Sequence, residues 1–454
     1  MTRNFSKRSL AGPENGRPDR ARLGLLSLVC VMYLVVSGGA YGLEDAVHIA
    51  GARLTLLLCL VVPLTLSLPT ALMAAELTAL MPVEGGFYFW VKEALGPFAG
   101  FVEVYVTILY SAVDTAIYPV LFVTYLSFLI PVGVTGQIIL GILMVWVAGI
   151  LNLQGVRPVG NASVVLTAIL LAPFVALVLA GIPRLVHWQL PAQPFPGGSF
   201  FAALGGGLTV VIWNFSGWEN LSVIAAEIDE PQRNYVRAIT VALPLVTLGY
   251  LLPLVVSVSG TSTAAQWRTG WFAEVGHQLG GPFLEAAIAG GGAVSAFAMF
   301  QAAMLWVSRM PFVLAGDGYL PEGLAALHSD RATPARSIIA CCAGFSLLVP
   351  LGFVTLVVLD VFFYMFALAL EMQALVRLRQ VFPDRTGRFV IGGGKPALCA
   401  TVVAPIATWL ATFGFAQSRG GGMTDLIVGV ALAACVWPVY AFLRRRYGGP
   451  RVVS

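Results

Sequence analysis

The run Ser37-Gly38-Gly39-Ala40-Tyr41-Gly42-Leu43 interrupts the first long apolar segment and leads straight into Glu44-Asp45. Glycine releases a helix from its regular dihedrals and leaves backbone N–H and C=O groups without intrahelical partners. Within a bilayer such groups are costly unless they line a polar cavity or bind something. Carboxylates at the same depth are also expensive and mark a substrate or ion pathway. A second stretch of this kind is Trp213-Asn214-Phe215-Ser216-Gly217-Trp218-Glu219-Asn220. On a continuous helix Trp213 and Glu219 would point about 120° apart; unwinding at Phe215 to Gly217 lets both face one cavity. Asp114 and Tyr118, four apart on one helical face, lie in a span with no basic residue. These groups together suit the capture of a small polar solute in mid-membrane.

The elements that must hold them are membrane helices. The chain has 454 residues, 58% hydrophobic and 11% charged, with a mean hydropathy of +0.86. Soluble domains carry charge on about a quarter of their residues, so that class is excluded. Twelve apolar stretches long enough to cross a bilayer centre near 35, 65, 115, 143, 172, 214, 249, 300, 343, 366, 405 and 433. With both termini in the cytoplasm, 22 Lys and Arg fall on inner segments and four outside (Arg53, Arg184, Arg268 and Arg419). That asymmetry follows the positive-inside rule and accounts for the net charge of +4 without nucleic acid. Met1 to Arg22 lacks a signal-peptide core and reads as a disordered cytoplasmic tail, 1–22. The six cysteines fall in apolar spans without metal-ligand spacing and read as buried free thiols.

Broken helices at the first and sixth positions imply a 5+5 inverted repeat with the solute at the repeat interface. The expected fold class is therefore an all-α membrane protein of 12 transmembrane helices. Its first five-helix repeat covers 23–182 and its second 203–380, with helices 11 and 12 at 396–444 and a cytoplasmic tail at 445–454. For Gly205 to Gly207 and Gly290 to Gly292 the reading is close helix packing.

Ser37 to Asp45 resembles the first-helix signature of polyamine and amino-acid permeases in the amino acid–polyamine–organocation (APC) superfamily, closest to the polyamine uptake branch of plants and kinetoplastids. Met81-Pro82-Val83-Glu84-Gly85-Gly86-Phe87-Tyr88-Phe89-Trp90-Val91 is similar to that branch's loop after helix two, and Asp114 through Phe122 to its third helix. Trp213 through Glu219 and Glu227 through Asn234 resemble the sixth helix and its following loop; Tyr364, Phe366, Glu371 and Val376-Arg377-Leu378-Arg379 follow the tenth. The resemblance spans roughly residues 35 to 390 and implies the broken-helix transporter fold and secondary active transport of amines or amino acids. Ala40 departs from it, standing where the family usually has proline. Glu219 matches a family position linked to substrate and gating.

An amino acid needs donors for its carboxylate, which N–H groups at Gly38, Gly39 and Tyr41 would provide through the helix-end dipole. Carbonyls of residues 214–217, beginning at Asn214, suit an ammonium. A polyamine instead wants several carboxylates along a slot and aromatic rings for cation–π contact, about 0.5–2 kcal/mol each. Asp114, Glu219 and Glu44 are the acids; Trp213, Tyr41, Tyr118 and Tyr364 are the rings. The three lysines, Lys7, Lys92 and Lys395, all fall on cytoplasmic segments, which favours a cationic cargo. Glu76, Glu103, Glu285 and Glu371 read as helix-end or interhelical structural groups.

Burial disfavours the charged form of a carboxyl, so Asp114, Glu219 or Glu44 could carry a driving proton. Sodium is disfavoured because the eighth span has Ser295 and Ser308 but no adjacent Ser/Thr pair. The expectation is proton symport of a cationic amine across the cytoplasmic membrane, with amino-acid transport or exchange, or solute sensing without transport, as alternatives. No nucleophile–base pair, phosphate loop or metal constellation argues for an enzyme, and no cofactor is expected. The loop Ser127 to Gln137 has no cysteine, so no disulfide-linked heavy chain is expected.

Overall fold

Long apolar sequence in a bilayer must satisfy its own backbone, and a helix does so within one segment. The computed structural model describes residues 22–187, 199–259, 264–349, 353–383, 389–416 and 422–449. The expected tail 1–22, apart from Arg22, lies outside the described residues, as do Arg385, Arg388, Arg419 and Arg451. Among the described residues the chain is helical, with two isolated bridges, Leu23 to Ile228 and Glu84 to Ile224, as its only extended pairings. In order the helices are α1 Leu25–Val36, α2 Leu43–Val62, α3 Leu68–Leu80, α4 Gly86–Leu95, α5 Pro97–Leu129, α6 Val134–Leu153, α7 Val156–Gly181 and α8 Phe200–Asn214. They continue as α9 Pro231–Val258, α10 Trp271–Val307, α11 Arg309–Gly316, α12 Ala335–Leu348, α13 Phe353–Val381, α14 Gly394–Ala416, α15 Gly422–Ala434 and α16 Val436–Tyr447.

Nine helices among the described residues are long and apolar enough to cross a membrane. The other expected spans, near 35, 214 and 343, coincide with the shorter apolar helices α1, α8 and α12. Two of these are short because the chain stops being helical where the sequence breaks. The stretch after α8 differs from a resumed α-helix: it continues as two single 3₁₀ turns, Asn220–Val223 and Ala225–Glu227. Within α2 the chain bends at Gly51 (φ 77°, ψ 160°) and within α10 at Gly281 (φ 69°, ψ −165°), dihedrals open to glycine at little cost.

Packing centres on the broken segments. Helix α1 lies against α7, α9 and α10, α8 lies against α2 and α14, and α5 packs on both α10 and α13. Large apolar side chains such as Leu57, Leu64, Val134, Ile150 and Leu179 remain exposed and form the lipid-facing surface. The expected burial of all cysteines is not met: Cys399 and Cys435 are exposed, while Cys30, Cys59 and Cys342 are buried. Both exposed thiols belong to the C-terminal helices, which have few partners to cover them.

Gly292 lets α10 approach the site, since a Cβ there would lie 2.5 Å from Cγ of the Tyr125 ring. At Gly290 the nearest atom to such a Cβ is Leu129 Cδ1 at 3.7 Å. Gly292→Ala therefore overpacks the core by about 1–3 kcal/mol, whereas Gly290→Ala is tolerated. Thermal unfolding in detergent should show a lower midpoint only for the first; equal midpoints would contradict the close approach.

Three ion pairs tie segments distant in sequence: Lys92 Nζ to Asp317 Oδ1 at 2.7 Å, Arg309 Nε to Glu227 Oε1 at 3.2 Å, and Arg379 Nε to Glu76 Oε1 at 2.6 Å. Glu76 also accepts the Ile391 N–H at 2.8 Å, and Tyr88 donates its hydroxyl to Asp317. Each charge in these three pairs is thereby matched, as burial requires.

Candidate substrate-binding site

The first break is held by its own side chains. Gly39 N–H donates to Ser37 Oγ at 3.1 Å, and Gly42 N–H to Glu44 Oε2 at 2.7 Å. Gly39 and Gly42 adopt φ 81° and 92°, which turn the chain between α1 and α2. Glu44 is fully buried, and its second oxygen faces the Tyr125 hydroxyl at 3.4 Å. One oxygen is thus spent on the loop that Glu44 follows and the other on α5. Ser295 donates to the Gly38 carbonyl, so α10 is bonded directly to the break. The close fit explains Gly38, where a Cβ would lie 2.4 Å from Met299 Sδ. The N–H groups of Gly38, Ala40 and Tyr41 find no acceptor among the described residues.

A small cavity of about 40 Å³ opens beside this break. Gly38, Tyr41, Asp114, Tyr118, Trp213, Asn214 and Tyr364 all line it, so seven of the residues singled out in the sequence are gathered on one wall system. Asp114 is bonded on both oxygens, by Tyr118 O–H at 2.7 Å and by Trp213 Nε1–H at 3.0 Å. Both donors are neutral. Helix α1 reaches the cavity at Val35 and Val36, and α8 at Trp213 and Asn214, so both present electronegative C-terminal ends to it. Among the described residues no Lys, Arg or His lines the cavity.

Sequence reasoning missed Asp360 of α13, which lines the same cavity, is 4% exposed and has no hydrogen-bond donor to Oδ1 among the described residues. The signal was present: Asp360 and Tyr364 are four apart, the same spacing as Asp114 and Tyr118. Tyr110 and Asn220, also missed, line the cavity and bond each other, O–H to Oδ1 at 2.8 Å.

Three expectations need correction. Glu219 does not share the cavity wall with Trp213; it is buried behind Tyr364, whose hydroxyl donates to its Oε2 at 3.1 Å. The break turns Glu219 past the wall because Gly217 (φ 98°) redirects the chain before it. The carbonyls of Asn214 and Phe215, expected to await an ammonium, already accept protein donors. Asn214 takes Tyr250 O–H at 2.7 Å; Phe215 takes Ser67 O–H at 3.0 Å and Trp218 Nε1–H at 2.9 Å. Gly39 stands off the wall, close to Phe174 and Leu170.

Two groups of aromatic rings pack about the cavity. Tyr41 packs on Tyr125 and Phe174 with centroids 4.9 and 4.7 Å apart, and its hydroxyl is tied to the Ile288 carbonyl at 2.6 Å. Tyr110 meets Tyr364 edge to face at 5.7 Å.

A discontinuous first helix, a cavity at that discontinuity and an apolar helical exterior describe a permease, and the comparisons with known proteins agree. The amino acid permease family model matches residues 23–433. The chain belongs to the amino acid permease family of the APC superfamily. It is 31% identical over 425 residues to the polyamine transporter RMV1 of Arabidopsis thaliana, covering 91% of this chain and 85% of that protein. The polyamine transporter PUT1 of Oryza sativa subsp. japonica is 31% identical over 399 residues, covering 86% and 73%. The human large neutral amino acids transporter small subunit 2 is 26% identical over 367 residues, covering 73% and 65%. This permease is accordingly a multi-pass membrane protein of a transporter family, not an enzyme.

Proposed function

We propose that this permease takes up a cationic amine, a diamine or longer polyamine, by proton-coupled symport across the cell membrane. The observation that carries the reading is the cavity with Asp114 and Asp360 on its walls, two helix C-termini against it and, among the described residues, no cationic side chain. Two fixed carboxylates complement two ammonium groups, while Trp213, Tyr41, Tyr118 and Tyr364 offer ring faces to the charged ends and the methylene chain. The names of the plant relatives, polyamine transporters, support the same cargo.

The proposed architecture is twelve spans, with a 5+5 inverted repeat over 23–182 and 203–380 and two further helices at 396–444. The distribution of Lys and Arg, 22 against four, supports both termini in the cytoplasm. The Tyr41, Tyr125 and Phe174 rings then form the outer closure, and Tyr110 with Tyr364 the inner one. Glu219, bonded to Tyr364, acts as a gate group, Glu44 shapes the first break, and Asp114 is the carboxylate that receives an ammonium of the amine.

A second reading, an amino-acid permease or exchanger, has its own support in the unpartnered N–H groups of Gly38, Ala40 and Tyr41, which suit a carboxylate, and in the name of the human relative. Uptake of labelled putrescine, spermidine, arginine and leucine into proteoliposomes under a proton gradient separates the two. Putrescine and spermidine should accumulate, and Asp360→Asn should lower that accumulation at least tenfold. Uptake of leucine alone, unaffected by Asp360→Asn, would overturn the amine reading. Amine uptake indifferent to the gradient would overturn the symport.

A further inference from the structure

Behind the inner aromatic closure three carboxyl groups come together: Glu219, Glu103 of α5 and Glu371 of α13. Both helix-borne acids had the appearance of structural groups in the sequence, yet neither pairs with a cation among the described residues. Glu103 is fully buried and Glu371 is 2% exposed. Thr107 O–H reaches Glu103 Oε1 at 3.4 Å, but Glu103 Oε2 and Glu371 Oε2 receive no hydrogen bond from any donor among the described residues. The two carboxyl groups face each other. The other titratable groups turned toward them are Glu219 from the second break, Tyr110 from α5, Tyr235 from α9 and Tyr364 from α13. The nearby ion-pair cations are committed elsewhere, Arg309 to Glu227 and Arg379 to Glu76.

Two carboxylates in contact inside a dry interior cannot both be ionised without several kcal/mol of penalty. A single proton between them turns one acceptor into a donor and satisfies both orphaned oxygens at once. We propose that Glu103 and Glu371 share one proton and are the coupling site of this permease, exchanging it by way of Glu219 and the Tyr364 hydroxyl. The inference rests on the proton-coupled reading above and locates its proton away from the amine cavity. Loading forms one O–H bond on the pair; unloading breaks it, with water as the base that receives the proton. Tyr364 lines the cavity and donates to Glu219, so cargo pressing on that ring disturbs the carboxyl group adjoining the pair.

The test uses Glu103→Gln and Glu371→Gln singly, since each preserves shape. Infrared spectroscopy of the purified protein in lipid should show the C=O stretch of a protonated carboxylic acid, shifted in heavy water and lost in each variant. In proteoliposomes, proton-gradient-driven putrescine accumulation should fall at least tenfold in each. Putrescine-for-putrescine exchange should stay within twofold of the wild type, because neither residue lines the cavity. A carboxylic-acid band unchanged in both variants overturns the shared proton, and gradient-driven accumulation at the wild-type level overturns its coupling role. If the wild type moves no amine, the transport reading fails while the infrared band still decides whether the proton is there.

Discussion

Asp114→Asn should weaken putrescine binding roughly a hundredfold. The wild-type carboxylate already has two neutral donors, Tyr118 O–H and Trp213 Nε1–H, at 2.7 and 3.0 Å, which fix its position without neutralising it. A bound ammonium would supply the missing charge. Truncating one partner of a buried charge pair costs about 2–5 kcal/mol, and each 1.4 kcal/mol is about tenfold in affinity. Asparagine adds a second penalty, because its amide N–H₂ must meet one of two donors that both want an acceptor. Calorimetric titration of the detergent-solubilised protein measures the effect. Affinity within threefold of the wild type would exclude Asp114 as an ammonium partner.

The largest expected effect on stability belongs to Arg309. Its guanidinium is fully buried and bonds Glu227 at 3.2 and 3.3 Å. Glu227 ends the second 3₁₀ turn, and its carbonyl takes the Leu23 N–H at 2.9 Å. The pair thus joins the start of α11 to both the second break and the residues leading into α1. Arg309→Met leaves a buried carboxylate alone, which costs about 3–5 kcal/mol. Adding Glu227→Leu removes the stranded charge and should restore most of the loss. A thermal midpoint that drops for the single variant and recovers in the double bears this out; no drop in the single variant would show the pair to be idle.

Much of this fold was legible because membrane helices announce themselves through length and apolar composition, and because glycine runs beside acids mark where such helices stop. The stretch Ser37 to Gly42 was readable for that reason. Glu219 was misplaced because its side-chain direction depends on how tightly the chain turns at Gly217 (φ 98°), and periodicity carries no information once a helix ends. Asp360 escaped notice for another reason. Its helix is apolar nearly throughout, so the division between α12 and α13 was hard to draw, and the depth of the acid could not be judged. The carbonyls of Asn214 and Phe215 were assigned to cargo because their donors, Tyr250, Ser67 and Trp218, come from three separate parts of the chain. Spacing within one segment cannot reveal partners that tertiary packing brings from far away.

Tyr364 takes the Gly217 N–H and gives its own proton to Glu219, both at 3.1 Å. A single phenol oxygen thereby latches a peptide group and an acid while its ring walls the chamber. Passage of solute past this ring must break the two bonds together, so Tyr364→Phe should keep the wall and lose the latch. The variant would let solute slip through down its own gradient, trading uphill accumulation for leak.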